Sequence, residues 1–251
     1  MTARSGGAPS SDVDRLGRPP APRRAPEARA ARPEDCLEPG GVSFAALTTL
    51  LGVTVRGGEG ASYSFTIDGI PDGAGGPDVH ASGTGAYRTV PELAARAVFE
   101  EFSCDGITVP GGMEERIVRG LLYVRSGLAG GPDTWLVRPA DLGPRGVHLA
   151  RMLDAARGSD PGAQLRRLVA DGTLAEAGAE AVTGVPTTRY AGELPAGPDF
   201  PAGIRVEVWI DACAVARRVT ALAPTAAGEV GLTLTFADGD GRPGIEVPAS
   251  F

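Results

Sequence analysis

A chain of 251 residues with 42% hydrophobic and 22% charged residues has ordinary globular composition, and its 37 Gly and 22 Pro argue for many turns rather than long helices, hence one sheet-rich α+β domain. The formal net charge is −7 and all 24 basic residues are Arg, with no Lys or Asn anywhere, so arginine content by itself carries little functional information. Residues 1–32 hold seven Arg against Asp12, Asp14 and Glu27, a local +4, while the remaining seventeen Arg and twenty-eight acids give −11; an acidic domain without an Arg stripe among aromatics repels phosphate backbones, which argues against nucleic acid as its partner.

Residues 1–40 carry Pro9, Pro19, Pro20, Pro22, Pro26, Pro33 and Pro39 among Arg, Ala, Ser and Gly, and bury too little apolar area to offset the entropy of ordering. They read as a disordered Pro/Arg/Ala-rich tail before a domain over 41–251. The first 40 residues lack the apolar core of a signal peptide and no stretch reaches a membrane span, so the sequence as written is expected in the cytoplasm with no transmembrane segment. Cys36 follows Arg-Pro-Glu-Asp rather than the small and apolar residues of a lipidation site. The three cysteines, Cys36, Cys104 and Cys213, are too few for a disulfide framework and are expected as buried free thiols; Cys104 and Cys213 could pair only across adjacent strands. His80 and His148 stand at no ligand spacing from any cysteine, so no metal is expected.

In 42–55 the residues Phe44, Leu47, Leu50 and Leu51 form a helical stripe opened by Ser43 as N-cap. The period then becomes two: Tyr63, Phe65 and Ile67 alternate with Ser and Thr in a half-buried strand. A turn follows from Pro71 to Gly76, and 79–87 is a weaker strand. In 95–104 both faces are about equally apolar, so the sequence leaves open which one meets the core. Residues 115–125 read as one strand bulged at Gly120, and 134–138 as another around Trp135. Two short helices follow, one carrying Val147, Leu149, Met152 and Leu153, the other Leu165, Leu168 and Val169 behind Ser159-Asp160-Pro161.

Five strands at hairpin spacing are expected over 174–182, 187–194, 204–210, 215–222 and 230–236. Ile204, Val206, Val208 and Ile210 oppose Arg205, Glu207, Trp209 and Asp211, and Leu232, Leu234 and Phe236 oppose Thr233 and Thr235, so one face packs on a core and the other meets water. An antiparallel sheet curved around the helices accommodates this order. The pairs Glu100-Glu101 and Glu114-Glu115 read as solvated faces, as do Glu207 and Asp211.

No motif of a catalytic or cofactor site survives its context. Gly239-Asp240-Gly241-Arg242-Pro243-Gly244 has the letters of a dinucleotide fingerprint but leads into no helix, and Asp238 and Asp240 lack the twelfth-position Glu of a calcium loop. HExxH, GxSxG and Walker patterns do not occur, and neither histidine has a nameable catalytic partner, so catalytic residues stay unassigned and no cofactor is expected.

The segment Gly184-Val185-Pro186-Thr187-Thr188-Arg189-Tyr190-Ala191-Gly192, followed by Val206-Glu207-Val208-Trp209-Ile210-Asp211, Arg217-Arg218-Val219, Leu234-Thr235-Phe236-Ala237-Asp238-Gly239 and Ile245-Glu246-Val247-Pro248, resembles the C-terminal half of actinobacterial LolA-like lipoproteins, including mycobacterial glycolipid carriers of the LprG and LppX type. With the early helix, Trp135 after a Leu-Tyr-Val-Arg strand and the two-helix segment, the resemblance extends over about 42–251. It implies a half-barrel wrapped over helices, an apolar cavity between sheet and helices that holds a lipid or acyl chain, and extracytoplasmic lipoproteins; the signal peptide and lipidated cysteine of that pattern are missing here. Cavity-lining candidates on the concave face are Phe65, Ile67, Phe99, Phe102, Tyr123, Tyr190, Val206 and Val208. The expected partner is a hydrophobic small molecule or lipid. The alternative is an intracellular cyclase or tailoring enzyme of secondary metabolism that uses the same cavity, and a third reading is an interaction domain.

Overall fold

A computed structural model of the chain describes residues 43–56, 58–69, 78–109, 112–127, 134–139, 163–194, 203–225, 228–238 and 243–249. The expected tail over 1–40, the turn from Pro71 to Gly76 and the helix around Val147–Leu153 lie outside these residues, as does His148. Helix α1 (Phe44–Val55) precedes seven strands: β1 (Gly60–Gly69), β2 (Val79–Arg88), β3 (Ala94–Cys104), β4 (Ile107–Thr108), β5 (Met113–Val118), β6 (Leu121–Ser126) and β7 (Trp135–Pro139). Helix α2 (Ala163–Ala170) leads into β8 (Leu174–Val182), β9 (Val185–Leu194), β10 (Ile204–Asp211), β11 (Ala216–Thr225) and β12 (Gly228–Phe236).

The described strands form one antiparallel sheet in the order β7-β6-β5-β3-β2-β1-β12-β11-β10-β9-β8, with β4 added to β3. It does not close: β7 and β8 are its two edges. The sheet curves over the helices, so that α1 packs on β1, β2, β3, β5 and β12 while α2 packs on β8 and touches α1. This is the half-barrel architecture expected of the sequence. No described helix is long and apolar enough to cross a membrane.

Three hairpins turn on two residues with positive φ: Asp105 and Gly106 (49° and 75°), Arg119 and Gly120 (53° and 72°), and Thr183 and Gly184 (50° and 82°). Their twist matches that of the flanking strands, which is why such tight turns are favoured. The second corrects the reading of 115–125 as one bulged strand: Val118 pairs with Leu121 across the turn, and β5 and β6 are separate.

Strand β3 explains its own ambiguous pattern. Ser82 pairs with Glu101 but Gly83 pairs with Phe99, so Glu100 is an extra residue. That bulge inverts the alternation, sending Ala95, Ala97 and Phe99 and then Phe102 and Cys104 to the core. The weak pattern of β2 also has a packing cause. A Cβ on Gly85 would stand 2.3 Å from the Tyr63 ring, so the bare backbone there makes room for the aromatic side chain.

The core fills the concave side. Helix α1 is buried almost all round rather than along one stripe, with Phe44, Ala45, Ala46, Thr48, Thr49 and Val53 all hidden. Phe44 stands edge-on to Phe99 (5.4 Å) and Phe102 (5.8 Å), and Phe65 likewise to Phe99 (5.2 Å). Cys104 corrects the free-thiol expectation: it is disulfide-bonded, whereas Cys213 is free and exposed on the β10–β11 turn. A smaller cluster lies on the convex side, where Ile245 and Val247 of the C-terminal segment cover Ala94, Val118, Tyr123 and Trp135.

Candidate functional site

Beneath α1 the sequence threads a polar seam through the apolar interior. Ser43 caps the helix, its Oγ accepting from the Ala46 amide, and the same hydroxyl donates to Glu115 Oε2 at 2.8 Å. The Ala45 amide donates to that oxygen at 2.7 Å. Tyr63 donates to Thr48 Oγ1 at 2.8 Å, and Thr48 donates to the Phe44 carbonyl at 2.9 Å. Burial pushes the Tyr63 phenol up to about 12 and the Glu115 carboxyl up to about 7, the latter against hydrogen bonds from Ala45, Ser43 and Phe44. Glu115 Oε1 is buried with no hydrogen-bond partner among the described residues. The reading of Glu114-Glu115 as a solvated face is therefore wrong: Glu114 is 2% and Glu115 0% exposed, on opposite faces of β5.

An open space lies to one side of this interior, where α2 stands beside Tyr190 of β9 and the end of β10. It has a volume of about 290 Å³ and is walled by Leu165, Val169, Tyr190 and Ile210, with Ala170, Ala212 and Ala214 at its rim. Helix α2 exposes Arg166 and Arg167 and buries Leu165, so its apolar side faces the sheet. Tyr190 pairs with Val208 across β9 and β10, on the concave face. The wall is mainly apolar, with Arg166 and Asp211 as its charged residues.

Asp211 shapes this site without being free to react. Its Oδ1 accepts from the Cys213 and Val215 amides, each at 2.9 Å, and its Oδ2 accepts from Arg217 Nε at 2.7 Å. Burial opposes its ionisation, but these donors outweigh it and hold the carboxyl below the usual aspartate range. Asp211 thus braces the β10–β11 turn instead of pointing into solvent as the alternation suggested. A second depression of about 130 Å³, lined by Glu193, Gly203, Arg205, Pro224 and Glu229, has charged walls and contains the Arg205–Glu229 ion pair.

Of the residues expected to line a cavity, Tyr190 borders the open space. Phe65, Ile67, Phe99, Phe102, Val206 and Val208 face the same concave side but lie within the packed core. Tyr123 is on the other side, in the convex cluster. Leu165 and Val169 were legible as helix residues, but their role as a wall was not, because nothing local shows which strands a helix meets. His80 is exposed on β2, with Nδ1 3.1 Å from Asp68 and Nε2 3.2 Å from Asp78; its hydrogen bonds to the Asp68 and then the Asp78 carboxylate raise its pKa.

No protein-family model matches the chain, and no curated protein matches it. Among solved structures it is similar to a DUF1329 family protein from Desulfovibrio piger, at 12% identity and a TM-score of 0.26, covering 80% of this chain and 92% of that one. It is also similar to a beta-barrel-like protein of the domain of unknown function DUF1849 from Brucella abortus, at 11% identity and a TM-score of 0.17, covering 73% and 97% of the two chains. At TM-scores this low the likenesses say nothing about activity.

Proposed function

We infer that residues 41–251 form a binding domain for a hydrophobic ligand, a lipid or acyl chain, seated between α2 and strands β9 and β10. The observation that carries this reading is the space of about 290 Å³ walled by Leu165, Val169, Tyr190 and Ile210. Ligand sites are concave and mostly apolar, with volumes from about 300 Å³ upward, so this one suits one chain rather than a bulky multi-acyl lipid. Burying about 200 Å² of ligand apolar surface there would contribute about 5 kcal/mol, enough for binding without a titrating group. The hydroxyl of Tyr190 at the wall would orient a polar end.

The ligand position differs from the resemblance-based picture. The centre of the half-barrel, under β1 to β3 and β12, is occupied by α1 and the aromatic cluster, so the guest sits toward the β8 edge. The Cys104 disulfide favours an oxidising compartment over the cytoplasm, as an extracytoplasmic carrier requires.

Native mass spectrometry of protein purified without detergent, followed by organic extraction, tests the reading. One lipid-like molecule per chain is expected, displaceable by a fluorescent fatty acid, with Val169→Trp reducing affinity for that probe at least about tenfold. Folded protein that carries no lipid and does not bind the probe overturns it.

A further inference from the structure

Three neighbouring strands bring a set of charges together on the convex face, beside a tryptophan on a fourth and away from the apolar space. Arg96 on β3 and Arg116 on β5 are direct cross-strand partners, Glu114 pairs with Arg125 across β5 and β6, and Arg125 pairs with Trp135 across β6 and β7. All three guanidiniums converge on one carboxylate. Arg96 Nε and Arg116 Nε each donate to Glu114 Oε1 at 2.7 Å, and Arg125 donates to Oε2 at 2.8 Å. Burial alone would favour neutral Glu114, but the bonds from Arg116 and Arg96 outweigh it and keep it ionised.

One arginine would neutralise Glu114. Among the described residues, three leave a local excess of two positive charges in a chain whose formal net charge is −7, and place two like charges directly opposite each other across a strand pair, which is unfavourable. Because every basic residue in the chain is Arg, the presence of arginines is no signal by itself; their convergence on one carboxylate is. Trp135 holds the array in place, its ring centroid 5.0 Å from the Arg116 guanidinium carbon and 5.1 Å from that of Arg125. Arg116 is further fixed by its bond to the Glu246 carbonyl at 3.1 Å. The carboxylate is at the bottom with 3% of its side chain exposed, while Arg96 and Arg125 are 44% and 40% exposed. Most of their N–H donors have no protein acceptor among the described residues and face outward.

We propose that Arg96, Arg116 and Arg125, pinned by Glu114 and Trp135, form a binding site for a phosphate-class dianion such as a phosphomonoester. The charge of such a group matches the excess, and its planar pairs of oxygens suit the guanidinium fork. The group could reach the site as free phosphate or as a phosphomonoester lipid headgroup. The site is independent of the apolar space beneath α2.

The test uses inorganic phosphate as probe, in titration calorimetry and by NMR of the two tryptophan indole N–H signals, against chloride at matched ionic strength. Saturable binding is expected, moving the Trp135 signal and sparing Trp209, whose indole donates to Glu180 on another part of the sheet. Arg96→Gln with Arg125→Gln should weaken it at least about tenfold while Arg116 still pairs with Glu114 and the fold persists by circular dichroism. Co-sedimentation with phosphatidylcholine vesicles, with and without phosphatidic acid, separates the sources: capture only by phosphatidic acid, lost in the same variant, assigns the site to a headgroup, and calorimetric binding without capture assigns it to free phosphate. Phosphate effects no larger than those of chloride in company with no vesicle capture, or binding that survives in the double variant, overturn the proposal.

Discussion

The hydroxyl of Ser43 reaches Glu115 at 2.8 Å across 72 residues of chain, so the residue that starts α1 also ties that helix to β5. The tie ends on a carboxylate with no exposure and with one oxygen lacking a partner among the described residues, a costly arrangement when ionised. Its folded pKa, about 7, lies above the unfolded value of 4.5, so the folded state holds the proton more tightly. Stability from this group is fully present below about pH 4.5 and is lost as pH rises through about 7, by about 3 kcal/mol in all. Urea unfolding between pH 5 and 8 should show this fall, and Glu115→Gln should flatten it and be the more stable protein at pH 8. Glu114 and Asp211 act in the opposite sense and in a lower window: their pKa values are depressed, and their contribution is lost only as pH falls below the ordinary carboxylate range.

Phe44 joins α1 to the aromatic cluster through its edge-on contacts with Phe99 and Phe102. Phe44→Ala should cost about 3–5 kcal/mol in urea denaturation, since the rigid sheet cannot collapse around the vacated ring. Phe44→Leu should cost clearly less.

At Gly85 the space a methyl group would take belongs to Tyr63. Gly85→Ala should therefore destabilise by about 1–3 kcal/mol, the range for overpacking, and shift the near-ultraviolet signal of the buried tyrosine. A Tyr63→Phe background should not restore the loss, because the ring carbons at 2.3 and 2.5 Å still fill that space once the hydroxyl oxygen at 2.7 Å is gone.

Thiol labelling of unfolded protein should distinguish the cysteines. Without reductant, maleimide should react once per chain, at Cys213; after reduction it should react with all three. Mass mapping of the bridged peptide containing Cys104 identifies its partner. Two or more reactive thiols before reduction would contradict the disulfide.

The sequence revealed most where alternation ran unbroken. Val206 and Val208, and Leu232, Leu234 and Phe236, occupy the core face their period assigns them. It revealed least where one residue breaks the phase, as Glu100 does in β3, or where two acids sit side by side and each is buried by its own set of partners. Glu114 needs arginines from three strands and Glu115 needs a helix N-terminus from 70 residues earlier, and no local pattern encodes either meeting. The wall between α2 and β10 was hidden for the same reason. Asp211 looked solvated because strand alternation says nothing about the turn that its carboxylate organises.

Strand β1 pairs on one side with β2 and on the other with β12, Tyr63 facing Phe236. Among the described strands, the middle of the sheet is therefore the seam between the first in chain order and the last. Until β12 is in place, β1 and β11 each present an open inner edge able to pair with another copy. Closure of the sheet is gated by β12, and a chain truncated before Gly228 should collect in aggregates rather than fold to a smaller version of the domain.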